Sequence, residues 1–274
     1  QQTLEAQIIN LIDLYKNYKN KEKEIEVEEK TLVVKERDYK IIKRKYEVGT
    51  ASEYDHISSR VEYEKSLLGL DNMKRELLVL TENFKVYNVI LDGKFDDIRK
   101  RDLEKDEFYN IGVTDLKNIK LTEKVNVEKL RREKYVNSMP ELNAEMSYSF
   151  ENDEVIVGLG VKKTLFNYKG EYEQIKNELK KNQVDYLDTK ATVENKIKEN
   201  MIQYTTLQTN ELITQKELEV RKKDYEVYNK KYELGMSNYS DYLERLNALD
   251  LAAREYEKAK NELASFTYKI KYMN

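Results

Sequence analysis

The sequence predicts a mainly α-helical chain of very long antiparallel helices, packed like coiled coils and interrupted by one amphipathic β-hairpin. Three observations lead there. Of 274 residues, 37% are charged and 39% hydrophobic, yet only 8 are Gly and 1 is Pro, a composition of long helices rather than of a loop-rich enzyme. A motif centred on Gly49 recurs at Gly235, an offset of 186 residues. Between Leu142 and Leu165 the apolar spacing changes from helical to alternating.

The repeated motif comes first because it sets the architecture. Lys45, Tyr46 and Glu47 lead through Val48 to Gly49, Thr50, Ala51, Ser52 and Asp55; Lys231, Tyr232 and Glu233 lead through Leu234 to Gly235, Met236, Ser237, Asn238 and Asp241. The same offset aligns Asp38 with Asp224, Tyr39 with Tyr225, Glu76 with Glu262 and Leu77 with Leu263. In each copy a run of helix formers meets a Gly, which takes the left-handed conformation at a helix C-cap without steric cost. Ser52 or Asn238 then serves as N-cap, with Asp55 or Asp241 in the first turn. Each copy reads as helix, tight turn and antiparallel helix.

The elements follow in order. Leu4, Ile8, Leu11, Tyr15, Tyr18, Ile25, Leu32, Tyr39, Ile42 and Tyr46 mark one helix over 1–47, roughly 70 Å long at the standard rise. Its return partner runs from about Glu53 to Tyr87, with Ile57, Val61, Leu68, Leu77 and Phe84 apolar and Gly69 inside it, either a close helix contact or a tolerated weak spot. These two form a first helical hairpin, 1–90. Asp92 and Gly93 end it, and 91–113 reads as a charged connector with a short helix. A helix from Thr114 to Ser138 stops at Pro140, closing a segment 114–140.

The hairpin occupies 141–166. Leu142, Ala144, Met146, Tyr148 and Phe150 alternate with Asn143, Glu145, Ser147 and Ser149. After the polar turn Glu151 to Glu154, Val155, Val157, Leu159, Val161 and Leu165 share one face, with Gly158, Gly160, Lys162 and Thr164 on the other. Two such strands have the length and one-sided polarity of a membrane-spanning barrel hairpin; a soluble hairpin packed on helices has the same alternation. The second helical hairpin, 167–274, holds a helix from Tyr168 to Tyr232, interrupted near its start by Gly170, and a last helix from Tyr239 to Tyr272. The first of these spans about 100 Å. Moved by the repeat offset, the strand pair falls upstream of residue 1, so the chain is expected to begin inside the first long helix.

Composition excludes several function classes. Lys and Arg number 49 against 52 Asp and Glu, which gives no basic surface for nucleic acid. There is no Cys, hence no disulfide or thiolate metal site. No run of about 18 apolar residues suggests a transmembrane helix, and no signal peptide is visible, as in a mature or trimmed chain. His56, the only histidine, is expected at the surface and supports neither a metal cluster nor a catalytic triad. No glycine-rich phosphate loop occurs. No catalytic, cofactor or metal site is therefore expected, and the 22 Tyr read as core and interface packing.

These features resemble the TolC-like outer membrane efflux protein family. The likeness rests on the two glycine turns with their preceding Tyr and following Asp and on the series Leu243, Leu249, Ala252, Tyr256 and Ala259. Pro140 before the hairpin and the stretch Gly158 to Phe166 that re-enters helix complete it. One departure is Thr164, where the family commonly has proline, which affects the strand-to-helix crossover. The resemblance implies a homotrimer whose strands, four per protomer, close a twelve-stranded barrel in the outer membrane, with the helices continuing as an α-barrel through the periplasm. Closure agrees with the intolerance of lipid for open sheet edges, and folding should be coupled to assembly.

It further implies a passive exit duct for an inner-membrane transporter working through a periplasmic membrane-fusion adaptor, in efflux or type I secretion. The adaptor would dock on Val48, Gly49, Thr50, Leu234, Gly235 and Met236. Glu226, nine residues before Gly235 and repeat-equivalent to Lys40, falls near a gating carboxylate of the family, and is otherwise a solvated charge. Leu142, Ala144, Met146, Tyr148, Phe150, Val155, Val157, Leu159 and Val161 would face lipid. The competing reading is a soluble coiled-coil scaffold or adaptor, without a pore, capped by 141–166.

Overall fold

Helix and strand follow the two periodicities closely in the computed structural model, which describes residues 2–89, 96–136, 139–151, 153–163 and 170–273. Helix α1 is Gln2–Glu47 and α2 Glu53–Asn83, continued by a 3-10 turn Phe84–Tyr87. Then come the short α3 Lys105–Phe108, α4 Val113–Val136, strands β1 Glu141–Ser149 and β2 Glu154–Lys162, α5 Gly170–Glu233 and α6 Tyr239–Lys269 with a 3-10 turn Ile270–Tyr272. The duplication is kept to the residue: α2 and α6 each have 31 residues and begin and end at the repeat offset. The chain divides into two units, 1–110 with 198–273, and 111–197. The expected helix end at Ser138, the hairpin end at Thr164 to Phe166, the helix start at Tyr168 and the stop at Leu91 to Gly93 lie outside the described residues.

In the first unit α1 lies between α2 and α6, and these two pairings carry the close backbone packing. Helix α5 meets its hairpin partner α6 through long side chains instead: Arg245 pairs with Asp224 at 3.5 Å and covers the Tyr228 ring, and Tyr204 stacks on Phe266. The side of α6 that meets α1 carries Asp250, Arg254, Asn261 and Lys269, each bonded to α1. A β-carbon added at Gly69 would have no neighbour within 4 Å, so this is a tolerated glycine and not a close contact.

The inner stripe of α1 corrects the apolar pattern expected of it. Between the buried Ile25 and Ile42, the buried positions are Glu28, Thr31, Lys35 and Asp38, at three and four residue steps, while Leu4 and Tyr46 are exposed. A buried charge must be paired and hydrogen-bonded, and most of this stripe is. The Ser66 hydroxyl of α2 donates to one Glu28 oxygen and the Arg254 guanidinium of α6 to the other. Arg254 also reaches Asp250 at 2.8 Å, and Thr31 donates to Asp250 at 3.1 Å. Lys35 pairs with Glu62 at 3.4 Å, Asn261 donates to Asn20 at 2.8 Å and Lys269 to Asp13 at 2.6 Å. Such pairings hold one register of three helices where apolar contacts would allow sliding.

From Asp96 to Glu104 the connector has no regular secondary structure and is tied to α1 and α6. Tyr15 donates to the Asp96 carbonyl at 2.8 Å, and the buried Lys19 pairs with Asp97 at 3.3 Å. Arg101 binds Thr267 of α6 through its backbone N–H, and its guanidinium donates to the Thr267 carbonyl at 3.2 Å. Phe84, fully buried, meets Tyr15 and Tyr18 edge-on.

The second unit holds α4, the hairpin and residues 170–197 of α5. Gly112, at φ +71°, has Val193 so close that a β-carbon would collide with it. Both strands are antiparallel in one register: Leu142 faces Val161, Ala144 Leu159, Met146 Val157 and Tyr148 Val155. The turn is tied by the Tyr148 hydroxyl, which donates to Asp153 at φ +53°.

Glu28→Ala leaves Arg254 and Ser66 without their shared acceptor and should cost about 2 to 4 kcal/mol in chemical denaturation, with most of it regained when Glu28→Leu, Arg254→Met and Asp250→Asn are combined, so that no charge of the cluster is left alone.

Candidate functional site

Two regions carry the functional residues read from the sequence: the paired glycine turns and the strand hairpin. At the turns the two copies share their hydrogen bonds. Gly49 N–H donates to the Tyr46 carbonyl at 2.9 Å and Thr50 N–H to that of Lys45 at 2.8 Å; Gly235 donates to Tyr232 at 3.0 Å and Met236 to Lys231 at 2.8 Å. This is the Schellman arrangement, and it needs the left-handed residue that Gly49 at φ +76° and Gly235 at φ +72° supply. The N-caps match too: Asp55 N–H donates to Ser52 Oγ at 3.0 Å and Asp241 N–H to Asn238 Oδ1 at 2.7 Å.

The turns sit side by side. Lys45 lies over the Tyr232 ring, 5.8 Å from its centroid. Ile42 and Ala51 of the first copy pack with Tyr225, Tyr232, Tyr239 and Tyr242 of the second. At the tips Val48, Leu234 and Met236 are 73%, 71% and 76% exposed. Gly49, Thr50 and Gly235 are exposed as well, and nothing lies within 4 Å of where either glycine would carry a β-carbon. The six turn residues are thus brought together as one open surface. The copies differ in one respect, since the Thr50 hydroxyl is engaged by its own helix at the Lys45 carbonyl, while Met236 presents a bare thioether.

Below the tips the repeat has a feature the sequence reading missed. Tyr39, His56 and Tyr46 correspond by offset to Tyr225, Tyr242 and Tyr232. In the first copy His56 stacks on Tyr46 at 4.9 Å and on Tyr39 at 6.0 Å; in the second Tyr242 stacks on Tyr232 at 4.8 Å and tilts against Tyr225 at 5.9 Å. Each hairpin is closed by the same three-ring clasp. His56, expected at the surface, is half-buried within it. The recurrence of Tyr seven residues apart, at 39 and 46 and again at 225 and 232, was the available signal.

The acidic residue that matters structurally is Asp38, not Glu226. Glu226 is exposed on α5, with no ion pair among the described residues, and Lys40, its repeat equivalent, pairs with Glu36 at 2.6 Å. Asp38 is 2% exposed. Arg37 donates to its Oδ1 at 3.2 Å, and the Tyr242 hydroxyl lies against its carboxylate. Burial raises its pKa above the usual 3.8, against the opposing pull of Arg37 and Tyr242. Burial likewise pushes Tyr232 up to about 12 and Tyr239 and Tyr242 higher still, so these three phenols stay neutral. Asp224, the repeat equivalent of Asp38, pairs with Arg245. The two equivalent acids therefore hold α6 from either side, one turn apart.

On the hairpin, Leu142, Ala144, Met146, Tyr148, Val155, Val157, Leu159 and Val161 form one continuous apolar face by register, all exposed and Leu159 at 85%. Phe150 lies in the turn, its ring edge-on to Tyr148 at 4.7 Å.

Because Asp38 binds its proton more tightly folded than unfolded, the stability contributed by this one carboxyl falls as pH rises from 3.8 through its raised folded value. Asp38→Asn, neutral at every pH, should melt higher than the parent at neutral pH and level with it at about pH 3, below both values. A melting difference that grows on acidification contradicts the assignment.

No protein-family model matches the chain, and no curated protein matches its sequence. Solved structures do match it. The outer membrane protein VceC from Vibrio cholerae superposes with a TM-score of 0.69 at 11% identity, over 96% of this chain and 69% of that one. The outer-membrane channel OprN gives 0.69 at 12% identity, over 100% of this chain and 66% of OprN. The Campylobacter jejuni CmeC outer membrane channel gives 0.62 at 18% identity, over 98% and 62%. Among the described residues no helix is long and apolar enough to cross a membrane. With its duplicated helix-turn-helix and strand pair, the chain has the fold of the TolC-like outer membrane channels.

Proposed function

We propose that the chain is a protomer of a homotrimeric exit duct in the outer membrane, with its helices extending into the periplasm. The observation that carries this is the hairpin. Two strands of nine residues present a wholly apolar face to solvent and leave both outer edges unpaired, in a chain with the fold of outer membrane channels. Two-stranded sheets are marginal in water, and nine residues is the length that crosses a bilayer when tilted. Lipid would cover the apolar face, and strands of neighbouring protomers would pair the edges.

The helices support the same reading. Ile57, Leu68 and Leu78 on α2 and Ile202, Val220 and Val227 on α5 are exposed apolar positions. Neighbouring copies would bury them. A soluble scaffold without a pore would have to cover the hairpin with its own helices, and both strand faces are bare.

The duct itself carries out no chemistry; substrate would come from an inner-membrane transporter by way of a periplasmic adaptor. The adaptor would seat on the open turns, where Val48, Leu234 and Met236 flank glycines that allow another turn to come close. Glu226, exposed on α5, would line the periplasmic end as its gate.

Detergent-extracted protein should run as a trimer and conduct in planar bilayers; a detergent-independent monomer or dimer without conductance contradicts the reading. Leu234→Asp with Met236→Asp should weaken adaptor capture by about tenfold or more with trimer and conductance retained. Unchanged capture removes the turns as the docking surface.

A further inference from the structure

The polar face of the hairpin has an unequal distribution of charge. By register Glu141 stands opposite Lys162, Asn143 opposite Gly160, Glu145 opposite Gly158, Ser147 opposite Ile156 and, at the turn end, Ser149 opposite Glu154, a second carboxylate with no cation across the ladder. Glu141 is therefore matched by a cation directly across the ladder. Glu145, at the middle of β1, is not: its partner has no side chain, and its diagonal neighbours are Ile156 and Gly160. Lys162 is the only basic residue in the two strands. It lies four residues along from Gly158, about 13 Å at the strand rise, which exceeds the screening length of roughly 10 Å at 0.1 M salt. Glu145 is exposed.

The glycines opposite are not required by the hairpin. Neither Gly158 nor Gly160 has a positive φ. A β-carbon on Gly158 would meet the Glu145 carbonyl at 3.9 Å and its Cβ at 4.0 Å, and one on Gly160 would meet Asn143 at 3.8 Å, ordinary contacts in each case. Glycine within a strand weakens it and marks a place where something else needs room. An uncompensated carboxylate needs water, and charged side chains on a barrel belong to the lumen side. The two observations coincide: the bare half of the polar face lies directly across from the uncompensated charge at mid-strand.

Resting on the duct reading, we infer that Glu145 sets the charge selectivity of the strand-lined part of the passage. Symmetry repeats it three times as a carboxylate ring at mid-strand, the type of ring by which cation channels select. The vacant positions at Gly158 and Gly160 leave that ring open to the passing solute. Cations, inorganic or organic, are favoured over anions at this level.

The test is the reversal potential of the intact protein in planar bilayers under a potassium chloride gradient. The parent should prefer potassium over chloride. Glu145→Gln, nearly the same size and shape, should shift the reversal potential toward zero, and Glu145→Lys should invert its sign. Gly158→Lys, which adds a cation opposite an intact Glu145 where a β-carbon fits, should also abolish the preference. Conducting channels in which the parent has no preference, or in which Glu145→Lys leaves the reversal potential in place, overturn this inference and leave the duct intact. No conductance from the parent overturns the duct, and this inference falls with it.

Discussion

A two-stranded sheet with open edges and one bare apolar face is the constraint on which the proposed role of this structure depends. The hairpin forms its inner ladder completely, with nine matched positions from Glu141 opposite Lys162 to Ser149 opposite Glu154, and among the described residues the outer edge of each strand has no partner. Its apolar face is bare. In the proposed duct both would be met by the surroundings, with lipid against Leu159 and Val157 and other strands against the edges. A chain in that setting would gain its final stability from assembly.

The helices meet a different requirement. The centre of α1 is closed by paired polar groups at Glu28, Thr31 and Lys35 rather than by an apolar stripe. Glu28 holds α2 and α6 at once through Ser66 and Arg254. Near the turns tyrosine takes over from charge, and the same three-ring clasp closes each hairpin. The two copies are not interchangeable, however. The second clasp reaches across to Asp38 and Ile42 of α1, whereas the first stays within α1 and α2, so the repeats share local geometry and differ in their neighbours.

Much of this was legible in the residues. Gly49 and Gly235 announced both turns because a left-handed position after a long helical run has few other occupants. The strict alternation from Leu142 to Val161 fixed the strand face and thereby the register, since a slip of one residue would turn every apolar side chain to the other side. The buried stripe of α1 was not legible: a search for apolar periodicity passes over Glu28, Lys35 and Asp38, whose burial depends on partners more than 25 residues away in sequence. His56 was misplaced for a related reason, because its neighbours Tyr39 and Tyr46 reach it only once the hairpin folds. At the candidate site the turn tips were found, but the network beneath them was hidden, since Asp38 and Asp224 served in the sequence only as markers of the repeat.

The most direct measurement is a scan of single-cysteine, fluorophore-labelled variants from Val155 to Val161 in reconstituted bilayers, quenched in turn from the lipid and from the water phase. Lipid quenching should peak at Val155, Val157, Leu159 and Val161 and aqueous quenching at Ile156, Gly158 and Gly160. Equal aqueous quenching along the whole strand would contradict a hairpin that stands in the membrane.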